Sequence, residues 1–205
     1  MLYLFIFIGY LSGSISGSLL LGKFKNIDIR KMGSGNAGGT NALRSVGPIF
    51  ALGTILIDVL KGYFPIIVCS VYIDHNVQWA QILIGFAAIL GHVYPIFYNF
   101  KGGKGAGTMV GVVLALFPYS IPFVFFVWIL ILIITGFVGL STMCAGIALM
   151  IITYFKFPET IMSPFGYFSI IIALFLIYSH RENIIRMIRG TENRFTKIML
   201  FKKNN

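Results

Sequence analysis

Residues 109–135 read MVGVVLALFPYSIPFVFFVWILILIIT, and not one of these side chains carries a charge. A run of about 18 or more apolar residues is long enough to cross a bilayer as a helix, which satisfies its own backbone N–H and C=O groups where water is absent. Ile161 to Ser179 forms a second such run and Met1 to Gly22 a third. The whole chain follows the same pattern. Of its 205 residues 58% are hydrophobic and 11% charged, and mean hydropathy is +0.90. Soluble domains carry roughly 45–50% apolar and about 25% charged residues. The expected fold class is therefore an all-α integral membrane protein, a polytopic helical bundle using residues 1–205 as one membrane domain. No basic residue precedes the first run and no small-residue cleavage pattern follows it, so it reads as a retained helix. Its Gly9, Gly13 and Gly17 have the spacing that lets two helices approach closely.

The net charge of +10 could suggest nucleic acid, but the positions of the charges exclude that reading. Of the 16 basic residues, five lie between Lys23 and Arg44, two are Lys101 and Lys104, and seven lie between Arg181 and Lys203; Lys61 and Lys156 stand apart. Three short basic segments beside apolar helices are the positive-inside signature of a membrane protein, and they also suit anionic lipid headgroups. Cys69 and Cys144 sit inside apolar runs without metal-ligand spacing, so no metal site or disulfide is expected.

If all three basic segments are cytoplasmic, an even number of crossings separates any two of them. Met1–Gly22 enters from outside, a helix from Pro48 to Ile73 leaves, Asp74–Asn76 turns, and Val77–Phe97 returns. The uncharged stretch from Gly105 to Phe155 must then supply three helices, or one long one, before a last helix from Pro164 to Tyr178. Pro118 and Pro122 disfavour a single helix, because each removes a backbone donor and clashes with the preceding turn. This places an external turn at Pro118–Pro122 and a cytoplasmic turn at Gly136–Thr142. Seven transmembrane helices result, with five as the alternative, the N-terminus outside and the C-terminus cytoplasmic. The cytoplasmic segments are residues 23–47, 98–108, 136–142 and 180–205.

Chemistry is concentrated in those segments. The first reads Gly33-Ser34-Gly35-Asn36-Ala37-Gly38-Gly39-Thr40-Asn41-Ala42-Leu43-Arg44 and lacks acidic groups. Glycines let backbone N–H groups converge on an anion, Ser34, Thr40 and Asn41 add donors, and Arg44 adds a bidentate fork. A flexible turn is the plain alternative. The second reads Gly91-His92-Val93-Tyr94-Pro95-Ile96-Phe97, then Phe100-Lys101-Gly102-Gly103-Lys104-Gly105-Ala106-Gly107-Thr108. Lysines interleaved with glycines ahead of a helix N-terminus place donors, charge and dipole on one anion. It is not the nucleotide-binding P-loop pattern. Lys104, between glycines, is the stronger candidate, whereas Lys101 also fits a simple membrane anchor. In the third, His180-Arg181-Glu182-Asn183-Ile184-Ile185-Arg186-Met187-Ile188-Arg189-Gly190-Thr191-Glu192, helical spacing puts His180, Asn183 and a Glu182–Arg186 pair on one face. Asp58 and Lys61, at i and i+3 inside an apolar helix, read as a structural ion pair, with a catalytic acid as the alternative.

These segments, in this order, resemble the bacterial acyl-phosphate:glycerol-3-phosphate acyltransferase family through GSGNxGxTN with a following Arg, GHxxPxFxxFKGGKG with a following Thr, and HREN with a following RGTE. The Asp58-x-x-Lys61-Gly62 element is also similar. The resemblance spans the chain. It implies seven helices, an N-terminus outside, no cofactor or metal, a long-chain acyl phosphate as donor and glycerol 3-phosphate as acceptor, in the bacterial cytoplasmic (inner) membrane with the site facing the cytoplasm. It implies Ser34, Arg44, Lys104, His180 and Asn183 as catalytic groups, with Glu192 or Glu182 structural. Gly35, Asn36, Thr40, Asn41, His92, Lys101, Gly102, Gly103, Gly105, Ser141 and Thr142 are the substrate-binding candidates. Ala37 and Gly39 depart from the Pro and Ala the family favours, and Gly136-Phe137-Val138-Gly139 departs from its Arg-Tyr-Val-Ser. The basic loops are also a candidate docking surface for a soluble acyl-phosphate synthase. Two other classes fit the residues alone: a membrane transporter for a phosphorylated anion, and a structural membrane subunit.

Overall fold

The computed structural model describes residues 1–73, 77–156 and 162–200, and every regular element among them is helical. The expected turn at Asp74–Asn76, residues 157–161 and the terminal residues 201–205 lie outside the described residues. The chain divides into two compact units, Met1–Pro118 and Tyr119–Asn205.

The first unit contains α1 (Leu2–Gly13), α2 (Gly17–Phe24), α3 (Gly39–Ser45), α4 (Pro48–Tyr72), α5 (Val77–Val93) and α6 (Ala106–Leu116). The first apolar run is not one straight helix: α1 and α2 meet at 49° across a break at residues 14–16. Helix α1 packs along α5, and α6 along α4. In lipid the hydrophobic effect does not drive helices together, so association rests on close van der Waals fit. The glycines supply it. A side chain at Gly9 or Gly13 would run into the Ile84 or Ala88 carbonyl, and one at Gly111 into the Val59 carbonyl. Gly17 faces Thr54 of α4 instead, so the three spaced glycines serve two helices. Helix α5 stops at Val93 because Pro95 disfavours helical backbone at the residue before it.

The second unit contains α7 (Ile121–Thr135), α8 (Val138–Lys156), α9 (Pro164–Ser179) and α10 (Arg181–Ile188), with α8 packed on both α7 and α9. The uncharged stretch from Gly105 thus does form three helices, α6, α7 and α8. The break before α7 falls at the prolines, and α7 ends on Gly136, whose φ of +73° is the left-handed conformation glycine adopts without cost. The turn is shorter than the expected Gly136–Thr142, because the helix resumes at Val138. By length and composition four helices are long and apolar enough to span, and up to six if each bent pair, α1 with α2 and α9 with α10, is one span. Helix α6 has 11 residues, about 16 Å at the α-helical rise, against a hydrocarbon core of about 30 Å.

Candidate active site

The first glycine-rich segment is half loop and half helix. Gly33 and Gly35 take left-handed φ values of +55° and +73°, which turns the chain around Ser34 and leaves that hydroxyl at an exposed tip. Gly39–Ser45 then coils into α3, so Thr40 and Asn41 lie in its first turn and Arg44, exposed, in its last. Asn41 is 1% exposed and holds the turn from inside. Its Nδ2 donates toward the carbonyls of Ile29, Met32 and Asn36 at 3.1, 2.9 and 3.0 Å, and its Oδ1 accepts the Ser34 N–H at 2.9 Å and the Ser45 hydroxyl at 3.3 Å. Every hydrogen-bonding position of that amide is used by the chain itself. Asn41 therefore shapes the segment in which Ser34 and Arg44 stand, whereas the sequence suggested a donor to substrate. Ala37, where the family resemblance pointed to Pro, is fully buried beside Leu19 and Ile29.

The second segment is anchored to the first. Tyr98 packs against the cluster of Leu19, Ile29 and Ala37, its carbonyl accepts from Arg30 Nη1 at 3.3 Å, and Lys23 Nζ lies 5.6 Å from its ring centroid. Arg30 is aimed by Asp28, with Nη2 to Oδ2 at 2.8 Å. The hydrogen bond from Arg30 holds the Asp28 carboxyl below the usual carboxylate range, against a smaller opposing effect of burial, and the same bond raises the guanidinium. Sequence reasoning missed this brace because its partners are 68 residues apart. Asn99 and Phe100 follow with φ of +56° and +58°, an uncommon conformation for side chains larger than glycine, which Asn adopts more readily than Phe. Gly105, at φ +89°, then caps α6, so Lys104 precedes a helix N-terminus. Gly102 and Gly103 lie flat against His92: the Gly103 N–H donates to the His92 carbonyl at 3.1 Å, and a side chain at Gly103 would overlap the imidazole. Lys101 is exposed and Lys104 half-buried.

Beneath this segment Asp58 and Lys61 pair at 2.8 Å, with side chains 4% exposed, and His92 Nδ1 lies 3.5 Å from Asp58 Oδ1. The ion pair expected from the sequence is present.

The second unit holds the third segment. His180 ends α9 and is buried, with Nδ1 2.9 Å from the Leu176 carbonyl and 3.2 Å from the Ser179 hydroxyl. A ring nitrogen facing a carbonyl carries the proton, which fixes the tautomer. The expected Glu182–Arg186 pair is replaced. Gly190, at φ +70°, reverses the chain, and Glu192 accepts from Asn183 Nδ2 at 2.8 Å and Arg186 Nε at 2.6 Å. Of the two glutamates Glu192 is thus the one built into the segment. Gly139 is needed for the same arrangement, since a side chain there would meet the Asn183 amide at 2.9 Å. Ser141 and Thr142 lie within α8 and are buried, their hydroxyls bonded to the Phe137 and Val138 carbonyls at 2.9 Å each. Thr142 also accepts from Trp128 Nε1 at 3.2 Å, a link between α7 and α8. The chain after Glu192 folds over the α7–α8 turn: Phe195 N–H donates to Gly136, Leu200 N–H to Ile133, and Arg194 covers the Phe137 ring. No motif announced that strap.

Among the described residues no group of three His, Cys, Asp or Glu side chains could hold a metal ion. On two joined loops the first unit presents cations and backbone donors, an arrangement suited to phosphate. Comparison with known proteins points the same way. A family model described as glycerol-3-phosphate acyltransferase matches residues 3–190. The glycerol-3-phosphate acyltransferase of Aquifex aeolicus is 38% identical over 197 residues, covering 95% of this chain and 98% of the relative. That of Fusobacterium nucleatum is 37% identical, covering 94% and 97%. Among solved structures, PlsY, an integral membrane glycerol 3-phosphate acyltransferase, superposes in its glycerol 3-phosphate form with a TM-score of 0.86 at 35% identity, covering 95% of both chains. Its lysophosphatidic acid form gives 0.84 and covers 98% of this chain. With its glycine-rich loops, its membrane helices and its whole length matched, this chain belongs to the glycerol-3-phosphate acyltransferase family of integral membrane proteins.

Proposed function

We propose that the protein transfers a fatty acyl group from a long-chain acyl phosphate to the 1-hydroxyl of sn-glycerol 3-phosphate, giving lysophosphatidate and inorganic phosphate. The observation that carries this reading is the junction at Tyr98 of the loops that carry the glycine-rich stretches 33–44 and 100–108, which contain no acidic side chain and bear Ser34, Arg44 and Lys104. The solved relative described in glycerol 3-phosphate and lysophosphatidic acid forms supports the same acceptor and product.

An acyl phosphate is an activated mixed anhydride, so the catalyst's main task is to hold two phosphates and present the hydroxyl to the acyl carbon. Positioning supplies roughly 7–11 kcal/mol in well-oriented reactions. The glycerol oxygen attacks the carbonyl carbon, a C–O bond forms, and the acyl carbon's bond to the phosphate oxygen breaks. The leaving phosphate takes the hydroxyl proton. Arg44 and Lys104 hold phosphate oxygens and Ser34 adds a donor, while in the second unit His180 and Asn183 are held in defined orientations by the Leu176 carbonyl and Glu192. Among the candidates for binding, Gly35, Gly102, Gly103 and Gly105 contribute backbone geometry, and His92 acts from beneath the second loop.

The positive-inside distribution supports a chain with its N-terminus outside, its C-terminus in the cytoplasm and its basic loops on the cytoplasmic face of the inner membrane. With α6 counted as a short span, the helices number seven. Protein purified in detergent and supplied with palmitoyl phosphate and labelled glycerol 3-phosphate should make labelled lysophosphatidate, whereas palmitoyl coenzyme A should give none. Product from the thioester alone would overturn the donor assignment.

A further inference from the structure

The break between α1 and α2 leaves backbone groups that an unbroken helix would have paired, and α4 supplies their partners. Lys61 Nζ donates to the Ile15 carbonyl at 2.7 Å, Asp58 Oδ1 accepts the Gly17 N–H at 3.2 Å, and the Ser12 hydroxyl donates to the Lys61 carbonyl at 3.0 Å. A carboxylate at the start of α2 and an ammonium on a carbonyl beyond α1 are each on the favourable end of a helix dipole. That accounts for Lys61. It does not account for the geometry on the other side of Asp58. The same Oδ1 lies 3.5 Å from His92 Nδ1, a buried nitrogen with no hydrogen bond among the described residues. The opposite edge of that imidazole presses on Gly103, whose N–H is held by the His92 carbonyl. Gly107 in turn faces the Asp58 side chain, with space for a methyl only at 3.1 Å from its Cβ. Lys104 lies between Gly103 and Gly107, so both flanks of its loop rest on Asp58, one through His92 and one directly.

We propose that Asp58 is a positioning residue for the Lys104 loop: anchored by Lys61 and the Gly17 amide, it sets the His92 ring against which Gly102 and Gly103 lie and the wall on which α6 begins. This rests on the reading of Lys104 as a phosphate-binding group. A buried ion pair is weak as a source of stability, because desolvation offsets most of the attraction, but it is specific about place.

A double-mutant cycle between Asp58→Asn and Lys104→Ala separates positioning from bulk stability. In the otherwise native chain Asp58→Asn should lower kcat/KM by on the order of 10²-fold, the usual effect of about 1 Å of misplacement. In the Lys104→Ala background it should cost less than about threefold, since the group it places is gone. If Asp58→Asn does not accumulate in the membrane, the charge-neutral Asp58→Asn/Lys61→Met pair takes its place in the cycle. A second measurement needs no turnover: Lys104→Cys, in a chain lacking Cys69 and Cys144, should be alkylated several-fold faster or slower when Asp58→Asn is added. Equal losses in both backgrounds, or an unchanged alkylation rate, would overturn the role of Asp58. Failure of the native protein to transfer acyl groups, with the alkylation rate still responsive, would instead remove the phosphate-binding reading on which it rests.

Discussion

Replacing Asn41 by Asp changes one nitrogen to oxygen and leaves the side-chain volume unchanged, yet the structure predicts that it disables the first loop. The native amide can make four hydrogen bonds at once, two from Nδ2 and two to Oδ1, and each is worth about 1 kcal/mol net when satisfied in a folded protein. Asn41→Ala therefore removes about 4 kcal/mol of order from the turn around Ser34, a shift of about 10³ in the equilibrium between closed and open loop. Asn41→Asp keeps the acceptor for the Ser34 N–H, but aims a carboxylate oxygen at the carbonyls of Ile29, Met32 and Asn36. Repulsion then replaces attraction, so the isosteric change should be at least as damaging as the truncation. The assay is kcat/KM for palmitoyl phosphate and glycerol 3-phosphate in detergent, beside limited proteolysis of residues 28–45. Both variants should lose at least about 10²-fold in kcat/KM, the factor expected of a displaced binding group, and be cut faster within the loop. Asn41→Asp with activity within twofold of the native protein would refute the reasoning.

Arg44→Lys should cut activity strongly while leaving expression intact, because a point charge does not reproduce a planar fork on phosphate; near-normal turnover would remove Arg44 from its role. Lys104→Ala should raise the Michaelis constant for a phosphate-bearing substrate more than Lys101→Ala does, and equal modest effects would mean that charge matters and position does not. For the topology, Tyr119→Cys, at an 83% exposed position, should react with an impermeant thiol reagent in intact cells on a background lacking Cys69 and Cys144, while Phe137→Cys should not. The reverse labelling pattern would exclude the seven-helix arrangement. Gly139 is unsuitable as a probe, since any side chain there displaces Asn183.

What the sequence made legible was what depends on local chemistry. Hydropathy located the apolar helices, Pro118 and Gly136 marked real breaks, and the spacing of Gly9 and Gly13 foretold a close helix approach, though not that α5 is the partner. Asp58 and Lys61 were recognisable as a pair because three residues separate them on one helix. What stayed hidden depends on partners distant in the chain or on a reversal of direction. The bend between α1 and α2 is sustained by groups on α4, more than 40 residues away. Arg186 looked destined for Glu182 at i,i+4 spacing, but the left-handed Gly190 carries Glu192 back to it. Asn41 looked like a donor to substrate because its type and neighbours suit phosphate, and only the positions of three carbonyls show that its amide is already engaged. Ser141 and Thr142 read as turn residues, since the sequence does not show how soon after Gly136 the helix resumes.

The proposed reaction, transfer of an acyl group from acyl phosphate to glycerol 3-phosphate, needs no protein besides this chain. It is tested most directly by stoichiometry, with purified protein in detergent, carbon-14 palmitoyl phosphate and tritiated glycerol 3-phosphate as the only reactants. One doubly labelled lysophosphatidate should form for each inorganic phosphate released. Phosphate release without doubly labelled product, or movement of labelled glycerol 3-phosphate across reconstituted vesicles with no product, would contradict it.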